Sequence, residues 1–109
     1  YCIDRSRVFA TGFSNGAFLS HLLGCALADR IAAIAPVSGG APDLTCKPSR
    51  PVSAIVYHGR DDQIVPVDRG RRLFQEWKRL DACPGVRPRS DGEACERAVD
   101  CAGGVGVEY

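Results

Sequence analysis

Residues Gly12-Phe13-Ser14-Asn15-Gly16 follow a short apolar run, Arg7-Val8-Phe9-Ala10-Thr11, and precede a long apolar stretch with helical spacing. A G-x-S-x-G pentapeptide set between a strand and a helix dictates a sharp turn that holds the serine hydroxyl out as a nucleophile. Both glycines are expected where the turn is strained and the neighbouring chain passes too close for a Cβ. This one feature commits the start of the chain to strand, turn and helix, and so to an alternating α/β order.

The rest of the chain extends that order. A strand is expected at about residues 7–11. Over residues 15–28, Phe18, Leu19, Leu22, Leu23, Ala26 and Leu27 recur at helical spacing and predict a largely buried helix that ends at Asp29-Arg30. Residues 31–37 form a continuous apolar run suited to a parallel strand buried on both faces. Ser38-Gly39-Gly40-Ala41-Pro42 breaks it. A second buried strand is expected at residues 52–58, closed by Gly59 and the charged loop Arg60-Asp61-Asp62-Gln63. Residues 66–80 place Leu73, Phe74, Trp77 and Leu80 on one helical face. Residues 81–104 read as irregular, and Val105-Gly106-Val107-Glu108-Tyr109 begins another strand. Strands alternating with helices predict a parallel sheet with right-handed crossovers and flanking helices in three layers.

Composition narrows the function classes. Fourteen basic and 13 acidic residues leave a formal charge of +1, which argues against nucleic acid or an anionic membrane as the main partner. No stretch approaches the roughly 20 apolar residues of a membrane span. The six cysteines are Cys2, Cys25, Cys46, Cys83, Cys95 and Cys101. None form a C-x-x-C pair, and His21 and His58 are the only histidines, so a zinc site lacks spacing and ligands. An even count without metal spacing favours disulfides, an oxidising compartment and secretion, with the connectivity open. No metal or organic cofactor is expected. The 109 residues amount to one domain at most. They are few for an open-sheet enzyme, so further segments are expected beyond both ends.

Ser14 is the candidate nucleophile, and it needs a histidine base oriented by a carboxylate. The backbone N–H of Asn15, at the start of the helix, would supply half of an oxyanion hole. Asp62 is the candidate carboxylate because its loop follows a buried strand, where open α/β sheets gather functional groups. Asp61 competes with it on position alone. His58 precedes Asp62 on the same strand end, and His21 lies two turns down the helix from Ser14, pointing away. Each reads as structural, which leaves the base unassigned.

Several blocks together resemble the secreted polyhydroxybutyrate depolymerase and feruloyl esterase family, of the α/β-hydrolase superfamily. They are residues 7–16, Asp29-Arg30-Ile31-Ala32-Ala33-Ile34-Ala35-Pro36-Val37-Ser38-Gly39, residues 46–52, and His58-Gly59-Arg60-Asp61-Asp62-Gln63-Ile64-Val65-Pro66. Trp77, Cys83, Cys95 and Cys101 fit the same pattern, and Ala17 stands where relatives often carry a second glycine. The resemblance implies a partial α/β-hydrolase fold over residues 1–109, lacking the N-terminal strands and the end of the last strand. It assigns the triad acid to Asp62 and implies a catalytic histidine after the final strand, beyond Tyr109. The strand before Ser14, central in the complete sheet, would here be an apolar edge. The implied activity is a secreted serine carboxylic-ester hydrolase acting on plant-wall feruloyl or acetyl esters. The alternatives are a polyhydroxyalkanoate depolymerase and a non-catalytic polymer-binding module, and the fragment alone is expected to be nearly inert.

Overall fold

The computed structural model describes residues 2–42, 45–88 and 95–109. Asp4 opens the chain by accepting the Ser6 N–H and hydroxyl at 2.9 and 2.6 Å, which fixes a short turn over Arg5–Arg7. The regular elements are then β1 (Phe9–Phe13), α1 (Asn15–Ala26), β2 (Ala33–Val37), β3 (Ser53–Ile55), α2 (Val67–Leu80), β4 (Gly85–Pro88), β5 (Glu96–Val99) and β6 (Val107–Glu108).

Six strands form one sheet in the order β1-β2-β3-β6-β5-β4. The first four in that order run parallel, so their carboxyl ends share one edge. β1 is an outer strand, as expected. The stretch expected to be irregular holds β4 and β5, an antiparallel pair that extends the sheet from β6. β4 is Gly-Val-Arg-Pro and β5 is Glu-Arg-Ala-Val, so charged residues and a proline interrupt them and no apolar run marks them. The sheet is therefore mixed, with a parallel part that carries the site.

The core lies on one sheet face. Ala10, Ile34, Ala54, Val107 and Ala98 stand in register across five strands, and all are buried. Both helices pack on that row among the described residues. Trp77, Phe74 and Leu73 of α2 are fully buried, matching the predicted apolar stripe of that helix. The opposite face presents Phe9, Phe13 and Tyr57, all exposed, and the Arg97–Glu108 pair at 2.7 Å. A second helical layer, as in the three-layer arrangement expected of the complete fold, is not supplied by the described residues.

α1 differs from the sequence reading in the face it buries. Its inner face is Ala17, Ser20, His21 and Gly24, whereas Leu19 is exposed and Phe18, Leu22 and Leu23 are half-buried. The helix is apolar nearly all round, so periodicity cannot choose a side. Close approach chooses it instead: a Cβ on Gly24 would lie 2.9 Å from Ile34 Cγ2 and 3.1 Å from Trp77 Cζ2. Small residues win the contact because larger ones would overpack it.

Two disulfides tie the helices to their surroundings. Cys25–Cys46 joins α1 to the loop after β2, and Cys83–Cys101 closes the segment between α2 and β6. Loop closure over these sequence separations of 21 and 18 residues is worth about 3 kcal/mol each on the chain-entropy account.

Candidate active site

Ser14 sits between β1 and α1 with φ 54° and ψ −115°. A left-handed φ is unfavourable for a residue with a Cβ, and such strain persists where surrounding structure enforces it. Here three backbone bonds do so. The Ser14 N–H donates to the Val37 carbonyl at 3.0 Å, and its own carbonyl accepts from Ala17 and Phe18 at 2.9 and 3.3 Å. The turn is tight enough that a Cβ on Gly12 would meet the Gly16 carbonyl carbon and oxygen at 2.4 Å. Gly16 itself is not crowded, since a Cβ there meets nothing within 4 Å among the described residues. The close-approach argument therefore holds for the first glycine of the motif only.

The Ser14 hydroxyl makes no capping bond to α1, although serine ordinarily favours that role at a helix start. Asn15 is the first residue of the helix, where backbone N–H groups have no acceptor within the helix. The partial positive potential of the helix end falls at the same point.

Asp62 lies on the loop after β3. Its Oδ1 accepts the backbone N–H of Ile64 and Val65 at 3.0 and 2.9 Å. Those bonds, Val65 first and then Ile64, hold the carboxyl below the usual Asp range, with smaller help from the Ser38 hydroxyl and His58. Asp61 is exposed, and its backbone carbonyl accepts from the Gln63 side chain at 3.2 Å. The two acids that position alone left equal thus differ in surroundings: Asp62 is drawn into the loop and Asp61 faces water.

Backbone bonds lock the strand ends together. Val37 holds the Ser14 N–H, and the Tyr57 carbonyl holds the N–H of Ser38 at 2.9 Å. Ser38 is a second non-glycine residue in the left-handed region, at φ 50°, and it is buried. In the sequence Ser38 reads only as the first residue of the break after the strand. Its place immediately after an apolar run at the functional edge was the available signal.

Both histidines have structural surroundings, as their positions suggested. His21 is buried edge-on to Trp77, with ring centroids 5.7 Å apart. Burial lowers its pKa. Its Nε2 is 3.6 Å from Cys25 Sγ. His21, Cys25 and Cys46 place their ligand atoms within 4.8 Å of one another, yet the cysteines form a disulfide. Disulfide sulfurs offer no thiolate to a cation, so this group is not a metal centre in this state. The His58 side chain is wholly buried and binds the Val65 carbonyl through Nε2 at 2.7 Å. Neither imidazole hydrogen-bonds Ser14 among the described residues.

Comparison with known proteins identifies the family. The family described as phospholipase/carboxylesterase matches residues 1–88. Feruloyl esterase B of Piromyces equi is 34% identical over 131 aligned residues, covering 97% of this chain and 24% of its own length. Probable feruloyl esterase C of Aspergillus terreus is 32% identical, covering 90% of the chain and 40% of the relative. Feruloyl esterase D of Neurospora crassa is 34% identical, covering 85% and 33% respectively. The chain spans well under half the length of each. With a serine elbow, a parallel strand edge and an ordered carboxylate loop in sequence, the chain belongs to the phospholipase/carboxylesterase family of α/β-hydrolases.

Proposed function

We propose that the protein is a serine carboxylic-ester hydrolase acting on feruloyl esters. The observation that carries this reading is Ser14, held at φ 54° in a turn that admits no Cβ at Gly12 and with a hydroxyl not spent on capping. The relatives' names as feruloyl esterases support the substrate class.

In this reaction Ser14 Oγ attacks the ester carbonyl while an imidazole base takes its proton. That imidazole is neither His21 nor His58, and comes from outside these residues. The carbonyl oxygen becomes an oxyanion stabilised by the Asn15 N–H, aided by the end of α1. Collapse breaks the bond to the alcohol, which leaves with the proton from the imidazole. Water then repeats the sequence on the acyl-serine and releases the acid. Asp62 accepts the second N–H of the base and stabilises the imidazolium. Its depressed pKa supports this role, because the carboxylate stays charged when the base is cationic. The two disulfides support an extracellular setting.

Release of ferulate from methyl ferulate by the full-length protein tests the substrate class. Turnover of methyl ferulate well above that of 3-hydroxybutyrate oligomers is expected. The reverse order would reassign the protein to polyester cleavage.

A further inference from the structure

His58 is the one buried imidazole beside the candidate acid, and the proposed reaction does not use it. Its side chain is 0% exposed. The Val65 carbonyl, which can only accept, lies 2.7 Å from Nε2, so that nitrogen carries the proton. The N–H of the same Val65 donates to Asp62 Oδ1 at 2.9 Å. One residue is thus gripped from both sides, by the imidazole through its carbonyl and by the carboxylate through its N–H. Nε2 is 3.7 Å from Asp62 Oδ2, beyond hydrogen-bond distance. The imidazole fixes the loop without occupying that oxygen.

The other side of the ring is equally constrained. Among the described residues His58 Nδ1 has no hydrogen-bond partner, and it lies against Gly70 of α2, where a Cβ would come within 2.5 Å of it. Glycine inside a helix costs about 1 kcal/mol relative to alanine. At Gly70 that cost accompanies room for the ring. On the chain side, the preceding Tyr57 is locked to β2, donating to Pro36 at 3.0 Å and accepting from Ser38 at 2.9 Å.

We infer that His58 is a positioning residue for the esterase reaction: it transmits the rigidity of the sheet through Val65 to Asp62, and Gly70 makes room for it. This rests on the reading of Asp62 as the triad acid. A loop freed from the imidazole would let the carboxylate drift, and misplacement by about 1 Å can cost roughly 100-fold in rate. Binding of the ester would be spared, because the His58 side chain is fully buried and offers no surface to a substrate.

The test uses the full-length protein with four single variants, measuring kcat, KM and the rate of Ser14 phosphonylation by a fluorophosphonate. His58→Leu removes the donor and His58→Gln keeps an N–H of similar reach. Gly70→Ala adds the clashing Cβ while favouring the helix, and Asp62→Asn tests the underlying reading. We expect His58→Leu to lower kcat and the phosphonylation rate together by roughly 10- to 100-fold. KM should stay within about twofold, and His58→Gln should recover most of the loss. Gly70→Ala should fall toward His58→Leu. Should His58→Leu not fold, His58→Gln and Gly70→Ala decide the matter: a rate loss in Gly70→Ala alone supports the inference, and wild-type rates in Gly70→Ala overturn it. An inactive Asp62→Asn beside a fully active His58→Leu overturns the positioning role alone. An active Asp62→Asn overturns the reading of the acid itself.

Discussion

Asp81, just past the end of α2, is fully buried and gives a stability prediction with a definite sign. Its Oδ1 accepts the Val52 N–H at 3.1 Å, but Oδ2 has no partner among the described residues. Burial raises its pKa from 3.8 to about 6, with the Val52 bond opposing. The folded state therefore holds the proton more tightly than the unfolded state. Stability from this group is complete below pH 3.8 and is lost as the pH rises through about 6. At 1.36 kcal/mol per unit the full loss is about 3 kcal/mol. Asp81→Asn keeps the acceptor for Val52 and cannot ionise, so its stability relative to wild type should climb by about that amount between roughly pH 3.5 and pH 7. Among the described residues the groups hydrogen-bonded to Asp81 are backbone and disulfide, so other titrations cancel in the difference. Urea unfolding of both proteins, followed by fluorescence of the single, buried Trp77, measures the curve. A constant difference across that pH range would refute the reasoning.

Three further outcomes follow from the geometry. Gly12→Ala drives a Cβ into the Gly16 backbone at 2.4 Å; it should cost about 1–3 kcal/mol and abolish fluorophosphonate labelling, as read by denaturation and gel fluorescence. Cys83→Ser with Cys101→Ser removes the staple beside α2, lowering stability by about 3 kcal/mol; an unchanged urea midpoint would contradict it. Asp62 has a depressed pKa, so the stability it contributes is present above its unfolded value and lost as pH falls through the lower folded one. Asp62→Asn should therefore differ from wild type less in strong acid than at neutral pH.

The sequence revealed those features that short-range pattern encodes. The elbow at Ser14 carries its own signature, and Leu73, Phe74 and Trp77 show a stripe that only one helix face could bury. Asp62 was separable from Asp61 only by resemblance, because the distinction lies in which carboxylate reaches the N–H groups of Ile64 and Val65. Other features depend on contacts distant in sequence. The β4–β5 pair is set by its attachment to β6, not by an apolar run of its own. The buried face of α1 is set by how near Ile34 and Trp77 come to Gly24. Disulfide partners likewise follow from the packing, with Cys25 meeting Cys46 and Cys83 meeting Cys101. His58 looked structural in the sequence, but its grip on Val65 and its fit against Gly70 exist only once the loop and α2 meet.

The proposed reaction stands on the strained Ser14 as nucleophile. Mass spectrometry of the full-length protein after treatment with a fluorophosphonate tests it directly. One phosphonylated peptide is expected, modified at Ser14, with labelling and ferulate release both lost in Ser14→Ala. Ferulate release that persists in Ser14→Ala, or modification at another serine, would contradict it.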